Sequence, residues 1–374
     1  MSGEALRVLQ VVTVMNRGGL ETFLMNIYRA IDRGKVQFDF LVHRDCRGDY
    51  DDEIESLGGR IYHIRRQNPL DPRYWRALNA FFLAHPYKVV HAQLDCLSAE
   101  PLAVAAKYGA VVRVAHSHNS CQDKDFKYPL KMMFKPMIKQ EATHLFACGV
   151  DAGKWMFGID DFQVIKNAID IDAYVFNSNV RNRVRTELGI APGVFVVGHV
   201  GRFDAVKNHA FLIEVFAELL AMRPDSVLLL AGDGSLRSDI EGQAERLGVS
   251  SSVRFLGSRS DVPELMQAMD CFIMPSLYEG LPMVLVEAQG AGLPCLISDT
   301  IPENCDIPGG SIMRASLSDS AEEWAKRVAD IRANTSNRSY GAQAISDAGF
   351  DAKATASCLQ NFYISALKEE VSNV

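Results

Sequence analysis

The sequence predicts an α/β protein made of two doubly wound, parallel-sheet domains. Three observations carry this expectation. Short β-rich apolar runs alternate with amphipathic helical stretches along the chain, the order of a parallel sheet covered by helices. The alternation resets near residues 162–180. The length, 374 residues, suits two domains at roughly 150 residues each. Two such sheets bind ligands at the carboxyl ends of their strands, so a cleft between those two edges is the expected site.

Residues 7–14, with Val8, Leu9, Val11, Val12 and Val14, read as a strand buried on both faces. Gly18 and Gly19 break it, and Leu20, Phe23, Leu24, Ile27 and Ile31 follow at helical spacing. Further strands are expected at 38–42, 60–64, 89–91, 111–115 and 145–148, with helices at 74–84 and 100–108. A strand over 164–170 then runs into a polar stretch, 177–185. The second series has strands at 195–200, 227–231, 253–256, 271–274 and 294–298. Its helices fall at 210–222, 236–247 and 283–290, and the tail from 351 to 374 is helical in pattern.

The composition excludes several classes. Hydrophobic residues make up 48% and charged residues 23%, too much apolar surface for a disordered chain. A net charge of −7 disfavours nucleic acid as a partner, because phosphate binding leaves a basic footprint. No apolar run approaches the ~18 residues of a membrane span. Glu4 precedes the first apolar run without a cationic leader, so no signal peptide is expected. The eight cysteines never form C-x-x-C, the pattern of reduced, packed thiols in a cytosolic protein and not of a zinc site.

Four segments carry candidate chemistry. Gly18 and Gly19 sit between the first strand and helix, where backbone N–H groups can approach an anion; the plain alternative is a tight turn. Arg202 and Lys207, on one strand–helix loop, can converge on a diphosphate without metal, or be two solvated cations. Glu279 precedes Gly280, Leu281, Pro282, Met283 and Val284, and Glu287 follows inside an apolar helix. A carboxylate there needs a partner, either sugar or ribose hydroxyls or an arginine. His116 and His118 end a strand, as an acid/base pair, metal ligands or structural groups; metal is the weaker option. Separately, Lys127, Lys131, Lys135 and Lys139 recur every four residues beside Met and Phe. That spacing forms one helical stripe, suited to an anionic membrane surface or to plain solvation.

Taken together and in this order, the motifs resemble the retaining glycosyltransferases of family four, with the GT-B fold. The signature is Glu279 and Glu287 flanking Gly280–Val286, joined by Gly201-Arg202-Phe203 with Lys207-Asn208, by Ala231-Gly232-Asp233-Gly234, by Phe255-Leu256-Gly257 and by Gly18-Gly19-Leu20-Glu21. His116-Ser117-His118-Asn119 and Ala147-Cys148-Gly149 are similar to the branch that builds exopolysaccharide and capsule repeat units. One departure is Lys166-Asn167-Ala168-Ile169-Asp170, where Ala168 stands in place of the family's glycine.

The resemblance implies two Rossmann-like domains facing across a cleft. Residues 1–165 form the acceptor side and 166–354 the nucleotide-sugar side, with a C-terminal helix near 355–374 returning to the first domain. It implies that Arg202 and Lys207 bind the donor diphosphate, Glu287 the ribose hydroxyls and Glu279 the donor sugar. Gly280, Leu281, Pro282, Met283 and Val284 would face sugar and phosphate, with Gly232, Leu256 and Gly257 also on the nucleotide. Gly18 and Gly19 would close on the diphosphate. His118, or His116, would line the reaction centre. The implied reaction moves a sugar with retention from a UDP-sugar to a hydroxyl of a lipid-linked exopolysaccharide or capsule glycan. It uses no metal and no further cofactor, in the cytoplasm or on the cytoplasmic membrane face. The alternatives are a GT-B epimerase or hydrolase, a non-catalytic sugar-nucleotide binder, and a metal-dependent transferase using Asp123 and Asp125 or Asp170 and Asp172.

Overall fold

A computed structural model of the chain describes residues 4–119, 128–331, 338 and 341–372. It divides into two compact units. Unit 1 is Met1–Ile169 with Gly349–Val374, and unit 2 is Asp170–Ala348.

Unit 1 has strands β1 (Leu6–Val12), β2 (Val36–Val42), β3 (Ile61–His63), β4 (Val89–Ala92), β5 (Val112–Ser117), β6 (His144–Ala147) and β7 (Gln163–Val164). They form one parallel sheet in the order β3-β2-β1-β4-β5-β6-β7. Apolar residues fill both faces of β2, which makes a central strand. Phe38 and Phe40 pack with Phe23 and Tyr28 on one side, and Leu41 packs with Tyr74 and Leu78 on the other. The exceptions on β2 are Gln37 and the fully buried Asp39, which accepts two bonds from Arg7, at 2.7 and 2.5 Å, and one from the Tyr87 hydroxyl at 2.7 Å. A buried carboxylate persists when its charge and lone pairs are answered in this way.

Unit 2 has β8 (Phe195–Val200), β9 (Ser226–Ala231), β10 (Val253–Gly257), β11 (Cys271–Met274), β12 (Cys295–Ser298) and β13 (Ile312–Ala315). The sheet is parallel, in the order β10-β9-β8-β11-β12-β13. Phe195, Val197, Phe216, Leu228, Leu230 and Trp324 share its core.

Three local expectations are corrected. The strand expected over 164–170 is confined to Gln163–Val164. Beyond it, Ile165, Ala168 and Ile169 bury in the core of unit 1, and the Ala168 carbonyl accepts from Asn26 Nδ2 at 3.1 Å. Ile169 forms only a bridge with Asp351. The polar stretch 177–185 is a helix, Ser178–Glu187. Asn177 caps it, accepting from the N–H groups of Asn179 and Val180. Arg181 and Arg185, one turn apart, both reach the buried Asp270.

The lysine stripe is not one helix. Helix Tyr128–Phe134 gives way to a 3-10 turn, Lys135–Met137, and then to helix Ile138–Glu141. Pro136 cannot donate a helical hydrogen bond. Lys135 lies 4.1 Å over the Trp155 ring, and Lys127 lies outside the described residues. Among the described residues no helix is long and apolar enough to cross a membrane.

Candidate active site

In unit 2 the chain winds outward in both directions from β8 and β11, so the crevice beyond these two strands is the switch point of the sheet. The loops that follow them are tied together there. Lys207 Nζ donates to Glu279 Oε1 at 2.6 Å, and both side chains are largely withdrawn from solvent. The Leu277 N–H donates to the Val206 carbonyl at 2.8 Å, and Asn208 Nδ2 to the Pro275 carbonyl at 3.1 Å. Asn208 holds φ of 54°, a left-handed conformation that asparagine tolerates better than most residues.

Arg202 takes another direction. Its side chain is 78% exposed and donates to Asp204 Oδ2 at 2.9 Å. Asp204 Oδ1 accepts from the Lys207 N–H at 3.2 Å, capping the turn Ala205–Lys207. Arg202 and Lys207 share one loop but do not converge on one point.

The neighbouring loops fit backbone against backbone. Gly232 holds φ of 137°, and a Cβ there would collide with the Gly201 carbonyl oxygen. At β10 the register shifts between Phe255 and Gly257. Leu256 is the residue without a Cα partner on β9 at this shift. Gly280 differs from Gly232, since a Cβ on it would meet nothing within 4 Å. Packing inside unit 2 therefore does not demand glycine at 280.

Helix Met283–Gly290 starts after Pro282, and its first N–H groups have no partners inside the helix. Leu281, Met283 and Val284 are half-buried at this start. Glu287 lies between buried Val286 and Ala288. Burial raises its carboxyl to about 7, opposed by a hydrogen bond with Tyr174. The structure thus collects Arg202, Lys207, Gly232, Leu256, Gly257 and the 279–287 segment at one edge of one sheet.

In unit 1, Gly18 and Gly19 begin helix Gly19–Ala30 beyond β1. A Cβ on Gly18 would collide with Glu21 Oε2, while one on Gly19 would meet nothing within 4 Å. The two histidines part company. His116, on β5, is buried, lies parallel to His91 at 5.2 Å and meets Phe23 and Phe146 edge-on. Burial lowers its basicity well below the usual imidazole range. His118, just past β5, is only partly buried. Its Nε2 lies 2.7 Å from Gln93 Oε1 and its Nδ1 3.1 Å from the Asn167 side chain. Burial lowers it to about 4, against the Asn167 contact, so the ring is neutral at pH 7.

Sequence reasoning assigns no role to Asp204, Asn208, Gln93 or Asn167, although Asn208 and Asn167 stand in motifs that carry the resemblance. Asp204 was accessible as a capping residue three before Lys207. Gln93 and Asn167 carry no local signal, because their contact with His118 is made by chain segments distant in sequence.

The family model "Glycosyl transferase 4-like domain" matches residues 18–152, and "Glycosyl transferases group 1" matches residues 180–344. EpsF of Bacillus subtilis (strain 168), a glycosyltransferase by name, is 40% identical over 376 residues, covering 97% of each chain. The chain is a family-four glycosyltransferase with the GT-B fold. A second relative of this glycosyltransferase is the UDP-Gal:alpha-D-GlcNAc-diphosphoundecaprenol alpha-1,3-galactosyltransferase of Escherichia coli. It is 33% identical over 145 residues, or 38% of each chain. Among solved structures, Anabaena HepE in complex with UDP superposes with a TM-score of 0.78 at 22% identity, covering 96% of this chain and all of that one. The same protein with UDP-glucose gives 0.74 at 21% identity. At such identities the likeness speaks for the fold.

Proposed function

We propose that this glycosyltransferase moves a sugar, with retention, from a UDP-sugar to a hydroxyl of a growing lipid-linked glycan in polysaccharide synthesis. The observation that carries the reading is the tie between Lys207 and Glu279 at the switch point of unit 2. It sets a cation and a carboxylate side by side where a sugar diphosphate needs both. Lys207 faces the phosphate, with Arg202 swinging in from Asp204, and Glu279 takes hydroxyls of the sugar. Glu287 takes the ribose hydroxyls, and the backbone at Leu256 reads the base edge. The space before Gly280 lets the diphosphate approach the N–H groups that start helix Met283–Gly290.

The reaction breaks the bond from the anomeric carbon to the diphosphate oxygen. Charge gathers on the leaving group, where Lys207 and Arg202 stabilise it in place of a metal ion. The acceptor oxygen bonds to the anomeric carbon on the same face, and its proton passes to the departing phosphate oxygen. His118 lines the reaction centre on the unit 1 side. Two names support the context: a capsular polysaccharide biosynthesis glycosyltransferase, CapH of Staphylococcus aureus, and an E. coli enzyme whose name gives a GlcNAc-diphosphoundecaprenol acceptor. Exposed Met133 and Met137, beside Lys131 and Lys139, support docking on the cytoplasmic membrane face.

The test is UDP release from UDP-glucose, UDP-galactose and UDP-N-acetylglucosamine with a lipid-diphosphate-linked sugar acceptor, in EDTA. Transfer is expected to survive EDTA and give a retained anomer by NMR. Lys207→Ala is expected to lose about 10²–10³ in kcat, the scale for one charge-stabilising donor. Loss in EDTA restored by manganese overturns the metal-free reading, and an inverted product overturns retention.

A further inference from the structure

The contacts of His118 continue into the protein. Gln93 Nε2 donates to Gln10 Oε1 at 3.1 Å, and Gln10 Nε2 lies 3.5 Å from the Tyr363 hydroxyl. The Tyr363 hydroxyl in turn lies 2.7 Å from His91 Nδ1. Tyr363 belongs to the C-terminal helix Ala352–Ser372, and Gln10, Gln93, His91 and Tyr363 are all buried. Buried amides are oriented by their hydrogen-bond partners, because a misdirected one leaves polar atoms unsatisfied.

This chain has a direction. A carboxamide presents oxygen on one side and NH₂ on the other, so the sense at Gln10 sets the sense at Gln93. With Gln93 Nε2 turned to Gln10, its Oε1 faces His118. A neutral imidazole has one N–H, and that N–H must then sit on Nε2. Nδ1 becomes the acceptor. The Asn167 atom 3.1 Å from Nδ1 is Oδ1, so this tautomer requires the Asn167 amide to turn over and give its NH₂ to the ring.

We propose that Gln93 and Asn167 are positioning residues that hold His118 in its Nε2–H tautomer, and that the Tyr363 hydroxyl, by donating to His91 Nδ1 and accepting from Gln10 Nε2, sets the sense of Gln93. The inference rests on the reading that His118 lines the reaction centre. Under it, His118 has no unassigned ring proton to give to a leaving group. It presents a fixed, neutral ring edge, and turnover depends on that ring not becoming an imidazolium. The last helix of the chain thereby takes part in orienting a residue placed at the chemistry.

Histidine-labelled full-length protein tests this by long-range proton–nitrogen correlation, with His118 assigned by its loss in His118→Gln. The wild type is expected to show the Nε2–H tautomer and no titration of His118 above pH 5. Gln93→Leu should abolish the single tautomer and lower kcat about tenfold or more, within the ~100-fold that a misplacement of 1 Å can cost. The donor KM should stay nearly unchanged, measured with whichever of the three UDP-sugars above is turned over. Gln93→Glu, which keeps shape and adds a negative partner, should bring His118 titration near neutrality and give turnover a new acidic limb. An Nδ1–H tautomer in the wild type overturns the proposal, as does a Gln93→Leu protein with unchanged spectrum and kcat. If His118→Ala keeps full turnover, the reading of His118 as a reaction-centre residue fails instead, and the spectra still decide the tautomer.

Discussion

Glu279 and Glu287 lie seven residues apart and meet opposite environments. Glu279 faces an ammonium at 2.6 Å, whereas burial, opposed by a hydrogen bond with Tyr174, raises Glu287 to about 7. Their substitutions should fail differently. Glu279→Gln is expected to leave UDP affinity nearly intact and to lose transfer. Glu287→Gln should weaken UDP itself by the roughly 1.5–3 kcal/mol of a charge-assisted hydrogen bond. Calorimetry with UDP separates them, and the opposite pattern reverses the assignment. Protonation acts like the second substitution, so wild-type UDP affinity should fall as pH drops below 7, and Glu287→Gln should remove that dependence. Stability runs the other way. The Glu287 carboxyl titrates above its ordinary 4.5, so between about 4.5 and 7 the folded chain holds a proton that the unfolded chain releases. Folding is favoured while that proton is held and loses the benefit as pH rises through 7. Glu287→Gln should therefore melt higher than wild type at pH 8 and alike at pH 5. Both carboxylates were legible in the sequence from their spacing and apolar setting. The Lys207 partner was not, because the pairing across 72 residues depends on β8 lying beside β11, and strand order in a sheet is not written in chain order.

Elements were legible where periodicity was long and uninterrupted. The buried strands β1, β2, β8 and β9 follow from their β-rich, mostly apolar runs. Short or capped elements were not: helix Ser178–Glu187 reads as polar until Asp270 is known to answer Arg181 and Arg185. The loops after β8 and β9 show why glycine spacing, not hydrophobicity, marks the site. Gly232→Ala puts a Cβ against the Gly201 carbonyl oxygen at φ of 137°, and should destabilise unit 2 by more than about 2 kcal/mol in denaturant melts. Gly280→Ala, in open space, should leave stability within about 0.5 kcal/mol, as surface changes do. It should weaken UDP-sugar binding if the diphosphate passes there. The lysine segment changes its expectation once Pro136 divides it. Lys131 and Lys139 flank the exposed Met133 and Met137, so they are the pair to replace. Changing both to Gln should reduce binding to anionic vesicles in low salt, with little effect at high salt, where surface charge is screened. Unchanged vesicle binding leaves the segment as packing alone.

At the scale of the molecule, the chain builds unit 1, leaves it at Ile169, builds unit 2, and returns at Gly349. The return is fixed where the two passages meet: the Ile169 N–H donates to the Phe350 carbonyl at 2.9 Å, and the Ala352 N–H to the Ile169 carbonyl at 3.0 Å. Ala352, Ala356, Leu359, Tyr363 and Ala366 then complete the core that begins with β1 and β2. Their spacing of four and three residues is that of one helical face, so the tail is part of the core of unit 1. Unit 2 is continuous in sequence and needs nothing from the tail for its own core. Ending the chain after Ala348 should leave β1 and β2 with an open apolar face while the sheet of unit 2 stays intact. Hydrogen exchange read by mass spectrometry should then show lost protection over residues 6–42 and retained protection over 195–298. Leu359, 2% exposed, gives the milder version, since Leu359→Ala should destabilise unit 1 by about 2–5 kcal/mol through the cavity it leaves. Full protection of 6–42 in the shortened chain would show that unit 1 closes without its last helix, and Tyr363 could not then orient anything at His118.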